Sequence, residues 1–511
     1  MKIAPFTRTI LQAYSLLMLA LPVHAAVDDA LGADNARHLL NRTGFAASGA
    51  YIGVFAKLSR TEAVDRLLKA TQSVAIQTPP AWVSEPPMPL VRLRDMSPEE
   101  RQAQQRKNVE RAFELREWWF REMLTTPSPF TEKMTLFWHN HFATSQQKVR
   151  FTPLIYQQHV MLRRNALGNF GTMLHEVARD PAMLIYLDGA NSRKEQPNEN
   201  FAREVMELFT LGEGHYSERD IKEAARAFTG WSVDRDNGQF MFRRGIHDYG
   251  NKTVLGKSGN LDGDQVIDVL LKMPETARFV TRKLWREFIS PAIGKPADEA
   301  QIARFADDFR DSGYNIAKLM RAMLTSDAFY APDNRASLIK SPVEFVVGTM
   351  KQFEIETPNL RPFVLAAALL GQNVFSPPNV KGWPGGEAWI NSATLLGRKQ
   401  LIDRLFRNED VMEAALRSMD EMAMRNGEEP QPGREARQRR QMERQMGGIR
   451  WNLDKWADKF AGDGANPAAR QGMKDMTRVV LAVAPQNPPT ASEKPADWAR
   501  QLVYDPVYQL K

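Results

Sequence analysis

The sequence predicts a mainly α protein, a large multi-helix domain with one small β-hairpin excursion. Three observations carry this. Apolar residues recur at three- and four-residue steps along most of the chain. Helix starts are written out in capping residues, as in Ser97-Pro98-Glu99-Glu100 and in Ser217 with Asp220. Strand-like alternation is confined to one stretch, 232–255, where Phe240-Met241-Phe242 and Lys252-Thr253-Val254-Leu255 lie among glycines.

Residues 1–25 read as an export signal. Lys2 and Arg8 give a positive start, 10–23 is mostly apolar, and cleavage is expected before Ala26. There is no twin-arginine pair, which favours the general secretory route, and no cysteine to carry a lipid. The expectation is a periplasmic or secreted protein that is not integral to the membrane after cleavage. The densest later apolar run, 363–370, is far short of the roughly twenty residues a span needs. Without Lys2 and Arg8 the chain is only mildly basic, which suits a mixed solvated surface and does not point to nucleic acid.

The main helical domain is expected over 26–410. Residues 36–40 and 60–68 carry amphipathic spacing. Residues 78–96 hold five prolines, from Pro79 to Pro89, and read as an extended connector. The helix opened by Ser97 should run towards Met123 through Trp118-Trp119-Phe120. Three successive aromatics cannot all face one core, so at least one should point to a second layer, a groove or solvent. Helices follow over 132–142, 154–170 and 172–187. Two capped helices come next, from Asn198 to Gly212 and from Ser217 to Gly230. Helices return over 266–288 and 302–329, and 371–397 is a loop rich in Gly, Pro, Asn and Trp. Residues 411–475 read as a charged insertion or mobile helices, with a basic run at 434–440; 476–511 form a C-terminal segment.

In the helix from Asn198, a 100° step lines up Phe201, Val205 and Leu208 as a buried stripe with Phe209 at its edge. Glu199, Arg203 and Glu207 fall opposite, at the spacing of intrahelical ion pairs. Glu204 lies on the flank of the stripe. A half-buried carboxylate needs a partner or a raised pKa, so Glu204 is the candidate general acid or base, with Glu199 and Arg203 fixing charge. A buried structural ion pair is the plainer alternative.

His139-Asn140-His141 would chelate a metal on a strand, but the flanking apolar spacing makes it helical. Its imidazoles then diverge, with His141 inward. Apart from His24 in the signal, every histidine lies between His38 and His247. His141, His215 (in the turn between the capped helices) and His247 are the candidates to complete a site; His139 and His175 share the region. The loop 376–391 carries Asn379, Lys381, Trp383, Trp389 and Asn391. Such a loop either caps the core or lines a cleft for a carbohydrate or peptide. No HExxH, GxSxG, phosphate-binding glycine loop or Glu-x-x-His pair is present.

Taken together, the motifs resemble the bacterial family known as domain of unknown function 1800. The resemblance rests on Phe137-Trp138-His139-Asn140-His141-Phe142, Asn198-Glu199-Asn200-Phe201-Ala202-Arg203-Glu204 with 206–212, Ala225-Arg226-Ala227-Phe228-Thr229-Gly230-Trp231, His247-Asp248 with 252–256, and Pro378-Asn379-Val380-Lys381-Gly382-Trp383-Pro384 with Gly385 and Gly386. It covers about 34–405 and resumes near 479–484. It adds Trp138, Asn198 and Trp231 to the binding candidates. It implies an exported, mostly helical protein and a co-exported partner of the domain of unknown function 1501 family, which itself resembles sulfatase- and phosphatase-like metalloenzymes. It implies no reaction, cofactor or metal.

Two functions therefore stand at this point. One is an acid–base or metal-assisted hydrolase acting on an envelope polymer, with Glu204, Glu199, Arg203, His141 and His215 as its chemistry. The other is a non-enzymatic scaffold or accessory protein that binds a co-exported partner.

Overall fold

The structure, a computed structural model, describes residues 29–87, 95–234, 236–407, 451–460, 466–490 and 494–511. The segment 1–25, read as an export signal, and the basic run 434–440 lie outside the described residues. The fold is mainly helical with two small two-stranded antiparallel sheets. Among the described residues no helix is long and apolar enough to cross a membrane.

The helices run α1 Gly32–Thr43, α2 Gly49–Phe55, α3 Arg60–Lys69, α4 Pro98–Thr125, α5 Pro129–His141, α6 Thr152–Asn165, α7 Phe170–Arg179, α8 Pro181–Tyr186, α9 Glu199–Glu204 and α10 Glu218–Ala227. Strands β1 Trp231–Val233, β2 Phe240–Phe242, β3 Lys252–Val254 and β4 Lys257–Gly259 follow. Then come α11 Gly263–Lys272, α12 Pro274–Phe288, α13 Pro296–Asp311, α14 Ile316–Thr325, α15 Asp327–Tyr330, α16 Pro342–Gln352, α17 Arg361–Leu369, α18 Ser392–Arg407, α19 Leu453–Ala457, α20 Asn466–Val480 and α21 Pro495–Tyr504.

Capping residues set many of these boundaries. Capping boxes open α3, α4, α10, α11 and α16, each worth about 1 kcal/mol. Caps also break helices that apolar spacing alone would join. The expected 154–170 helix ends at Asn165, and Asn169 caps α7 by accepting from Thr172 N. The expected 172–187 helix breaks at Asp180, which caps α8 ahead of Pro181. Residues 266–288 split at Met273-Pro274 for the same reason. The excursion holds two ribbons where one hairpin was expected: Trp231 pairs with Phe242, and Lys252 with Gly259.

The C-terminal half of α4 lies deep in the structure. Trp118, Trp119 and Phe120 are all buried, and the second layer is the strap 71–80. Trp118 Nε1 donates to Gln77 O at 3.1 Å, while Trp119 Nε1 donates to Glu132 at 2.8 Å. Glu122, 0 % exposed, accepts the backbone N–H of Ile76 and Gln77 at 3.0 and 2.9 Å. Arg163 joins the group through Glu132 at 2.7 Å, Glu122 at 3.4 Å and Gln72 O at 2.9 Å. Burial pushes the Glu132 carboxyl up against the opposing pull of Arg163. A second buried charge cluster joins Lys133 to Glu287 and Glu344, with Lys511 on the same two carboxylates. It fixes the C-terminal segment, whose Leu510 bridges Ile339.

Replacing Arg163 by Met should leave two buried carboxylates without their cation. The expected loss is about 3–5 kcal/mol of unfolding free energy, read from urea titration of the full chain. A loss below about 1 kcal/mol would mean that the network is not what ties the strap to the core.

Candidate functional site

The last turn of α5 organises the region. At 100° per residue, His139, Asn140 and His141 point three ways. His139 stacks on His159 with ring centroids 5.3 Å apart, and Nε2 and Nδ1 share a hydrogen bond of 3.1 Å. Trp119 packs on both rings. Burial holds His139 neutral, its pKa lowered to about 3. His141 points the other way, and its Nε2 bonds Phe209 O at 3.1 Å. Burial, and then the nearby Lys283 charge, push its pKa well down. The two rings do not share an ion, as the helical spacing implied.

Asn140 lies between them and holds the Trp-rich loop. Its Oδ1 accepts Trp383 N at 2.6 Å, and its Nδ2 donates to Trp383 O at 3.4 Å. Gly382 makes this approach possible. It sits at φ +83°, and a Cβ there would lie 2.2 Å from Asn140 Oδ1. Trp383 and Trp389 are buried, Asn379 closes a turn by accepting Lys381 N at 2.9 Å, and Asn391 exchanges hydrogen bonds with Thr394 at the start of α18, both 2.9 Å. Asn379, Lys381 and Asn391 are exposed, and Lys381 extends its ammonium to solvent.

α9 is capped by Asn198, whose Oδ1 accepts Phe201 N at 3.1 Å and whose Nδ2 donates to Leu187 O at 3.2 Å. After Glu204 the helix widens into a π turn, Val205–Thr210. Leu211 N reaches back five residues to Met206 O at 2.7 Å, and Thr210 Oγ1 donates to Val205 O at 2.7 Å. The wider turn moves the buried stripe from Leu208 to Phe209, which enters the core while Leu208 is half-buried. Arg203, Glu204, Glu207 and Leu208 share the partly exposed side.

On that side the expected intrahelical pairing gives way to pairing with neighbours. Arg203 forks onto Glu218 at 2.7 and 2.8 Å, and the Tyr216 hydroxyl donates to Glu207 at 2.5 Å. Glu199 is exposed. Glu204 accepts no hydrogen bond among the described residues. Burial first, and then the Glu207 charge, raise its pKa; Lys381 and Arg203 oppose this. Its charge is also felt by the Tyr186 phenol. Lys148 stands 6.0 Å from the Tyr186 ring and pairs with Asp188 at 2.6 Å. Lys381 reaches Glu213 at 3.6 Å. The structure thus brings Glu204, Glu207, Tyr216 and Lys381 together at the surface, with Tyr186 buried beside them. The tyrosines were absent from the sequence-based selection; Tyr216, in the turn after Gly212, carried the only signal.

The remaining nominated residues lie elsewhere. His215 is exposed in its turn and makes no hydrogen bond or ring contact among the described residues. His247 is buried, with Nδ1 at 2.7 Å from Thr229 O, and the adjacent Asp248 accepts from Arg226 at 2.7 Å. Trp231 packs between Phe228 and Phe240. Trp138 is fully buried and donates to Ala166 O at 2.8 Å. Among the described residues no three His, Cys, Asp or Glu side chains are grouped to hold a metal ion.

Changing Asn140 to Ala should free the Trp383 amide. Hydrogen exchange of the peptide spanning 379–389 should quicken at least tenfold, about 1.4 kcal/mol, with little change over α9. Unchanged exchange would separate the loop from Asn140.

The family model described as Protein of unknown function (DUF1800) matches residues 38–510. No curated protein and no solved structure matches the chain. The family match takes in the α5 turn, the widened helix, the two ribbons and the tryptophan loop, and it runs past Leu405 to the C-terminal segment. The chain belongs to the DUF1800 family.

Proposed function

We propose that this chain is an exported, non-catalytic binding protein of the cell envelope, and that the α9 face docks a co-exported protein of the DUF1501 family. One observation carries the reading. Of the side chains nominated for chemistry, His141 is sealed in the core, Arg203 is forked onto Glu218, and Glu199 and His215 are exposed, while Glu204 and Lys381 stay at the surface with Glu207 and Tyr216. A partly exposed tyrosine among a few charges is a common composition for part of a protein interface. The pattern of residues 1–25 supports export.

An acid–base hydrolase needs a second group facing the same substrate atom. His141 and His247 are turned inward, Arg203 is forked onto Glu218, and Glu207 is bonded to Tyr216. The raised pKa of Glu204 is the observation that keeps a general acid in view; the same burial serves an interface carboxylate.

Calorimetry of the purified full chain with a purified DUF1501 partner should show a stoichiometric complex. Glu204→Lys and Lys381→Glu should each weaken it at least tenfold, about 1.4 kcal/mol, with unchanged circular dichroism. Release of fragments from purified envelope polymer by the chain alone, abolished by Glu204→Gln, would overturn the proposal in favour of the hydrolase.

A further inference from the structure

A cleft of about 670 Å3 opens between α4 and α17 and contains none of the residues discussed so far as site candidates. Its floor is Arg116, only 7 % exposed. The guanidinium bonds neutral oxygens alone: Val374 O at 3.0 Å, Ala112 O at 2.7 Å and Ser376 Oγ at 3.1 Å. No carboxylate lies within ion-pair distance of it among the described residues. Three of its five N–H groups are used. A buried cation without an anion costs several kcal/mol, so the site favours whatever anion can reach it.

A second, independent feature lines the same space. Gln146 lines the cleft, is 8 % exposed, and its buried Oε1 has no hydrogen-bond partner among the described residues. Its Nε2 is spent on Thr152 Oγ1 at 3.0 Å. The backbone N–H of Gln146 takes Phe375 O at 2.8 Å, and Phe375 sits at φ +63°, a strained conformation for a large side chain. The cleft floor is therefore held in place by more than packing. Arg150 stands exposed at the rim with no ion pair among the described residues, and Val109, Phe113 and Leu365 form an apolar wall.

An orphaned acceptor beside an unpaired cation, against an apolar wall, fits one end of a polypeptide. We propose that this cleft binds the C-terminus of an extended peptide. The terminal carboxylate sits on the free N–H groups of Arg116, the last amide N–H on Gln146 Oε1, and an apolar last side chain on the wall. Arg150 adds attraction at the entrance. The inference does not rest on the docking face above, since the two share no residue.

The test uses the full chain and two probes, N-acetyl-Ala-Ala-Leu and the same peptide with its C-terminus amidated. The free acid should bind, and the amide should bind at least tenfold more weakly. Val109 lines the cleft but is 47 % exposed, so Val109→Glu should fold normally while placing a negative charge beside the ligand. It should weaken the acid at least tenfold and the amide little. Arg150→Gln should weaken the acid by a smaller factor and reduce the salt dependence of binding. Equal binding of acid and amide, no binding of either up to millimolar concentration, or an acid affinity untouched by Val109→Glu would each overturn the proposal.

Discussion

The bond between the Asn140 side chain and the backbone of Trp383 is the constraint on which the region depends. It fixes a loop of tryptophans and glycines, 376–391, against the end of a helix. The two residues beside it anchor two other parts of the molecule: His139 stacks into the aromatic group around Trp119, and His141 holds the carbonyl of Phe209. Three successive side chains on one helical turn can serve three neighbours because each is rotated about 100° from the last. The cost of burying them is met by complete or nearly complete hydrogen bonding, with His141 Nδ1 and His159 Nε2 left over.

The widened turn at 205–210 is the counterpart of that anchor. Without it, the helix from Glu199 would bury Leu208 and leave Phe209 at the edge of the stripe. With it, Phe209 reaches the core and its carbonyl meets His141. Glu204 and Glu207, three residues apart, share one side of the helix, and Lys381 from the docked loop acts on Glu204. The charge arrangement at the surface thus follows from packing beneath it. Like-charge repulsion between Glu204 and Glu207 is eased by the Tyr216 hydroxyl and by two cations.

The fold class was legible because capping and apolar spacing are local signals. Ser97, Ser217 and Gly230 marked their boundaries from sequence alone. The breaks at Asp180-Pro181 and Met273-Pro274 were also written in the chain, but apolar spacing ran across them. The π turn was not legible: a hydrogen bond to the fifth residue depends on what packs around Phe209, and no local rule encodes it. In the site, Glu204 was found because a carboxylate on the flank of a buried stripe must be half-buried. Asn140 was passed over between two histidines. Its role could have been read from Gly382 only with the knowledge that the two meet. Arg116 and Gln146 carried no motif at all; their meaning comes from the acceptors they lack.

The central claim is that the histidines of the α5 turn hold the fold and do not titrate in the physiological range. Burial depresses both, so the stability they contribute is present above the unfolded-state value near 6.5 and is lost as the pH falls below it. Nitrogen-15 NMR of histidine-labelled protein from about pH 8 to about pH 5 measures this directly. The account predicts His139 and His141 neutral throughout, with His141 carrying its proton on Nε2. A protonation step near pH 6.5 at His141 would contradict it and return that imidazole to the list of working groups.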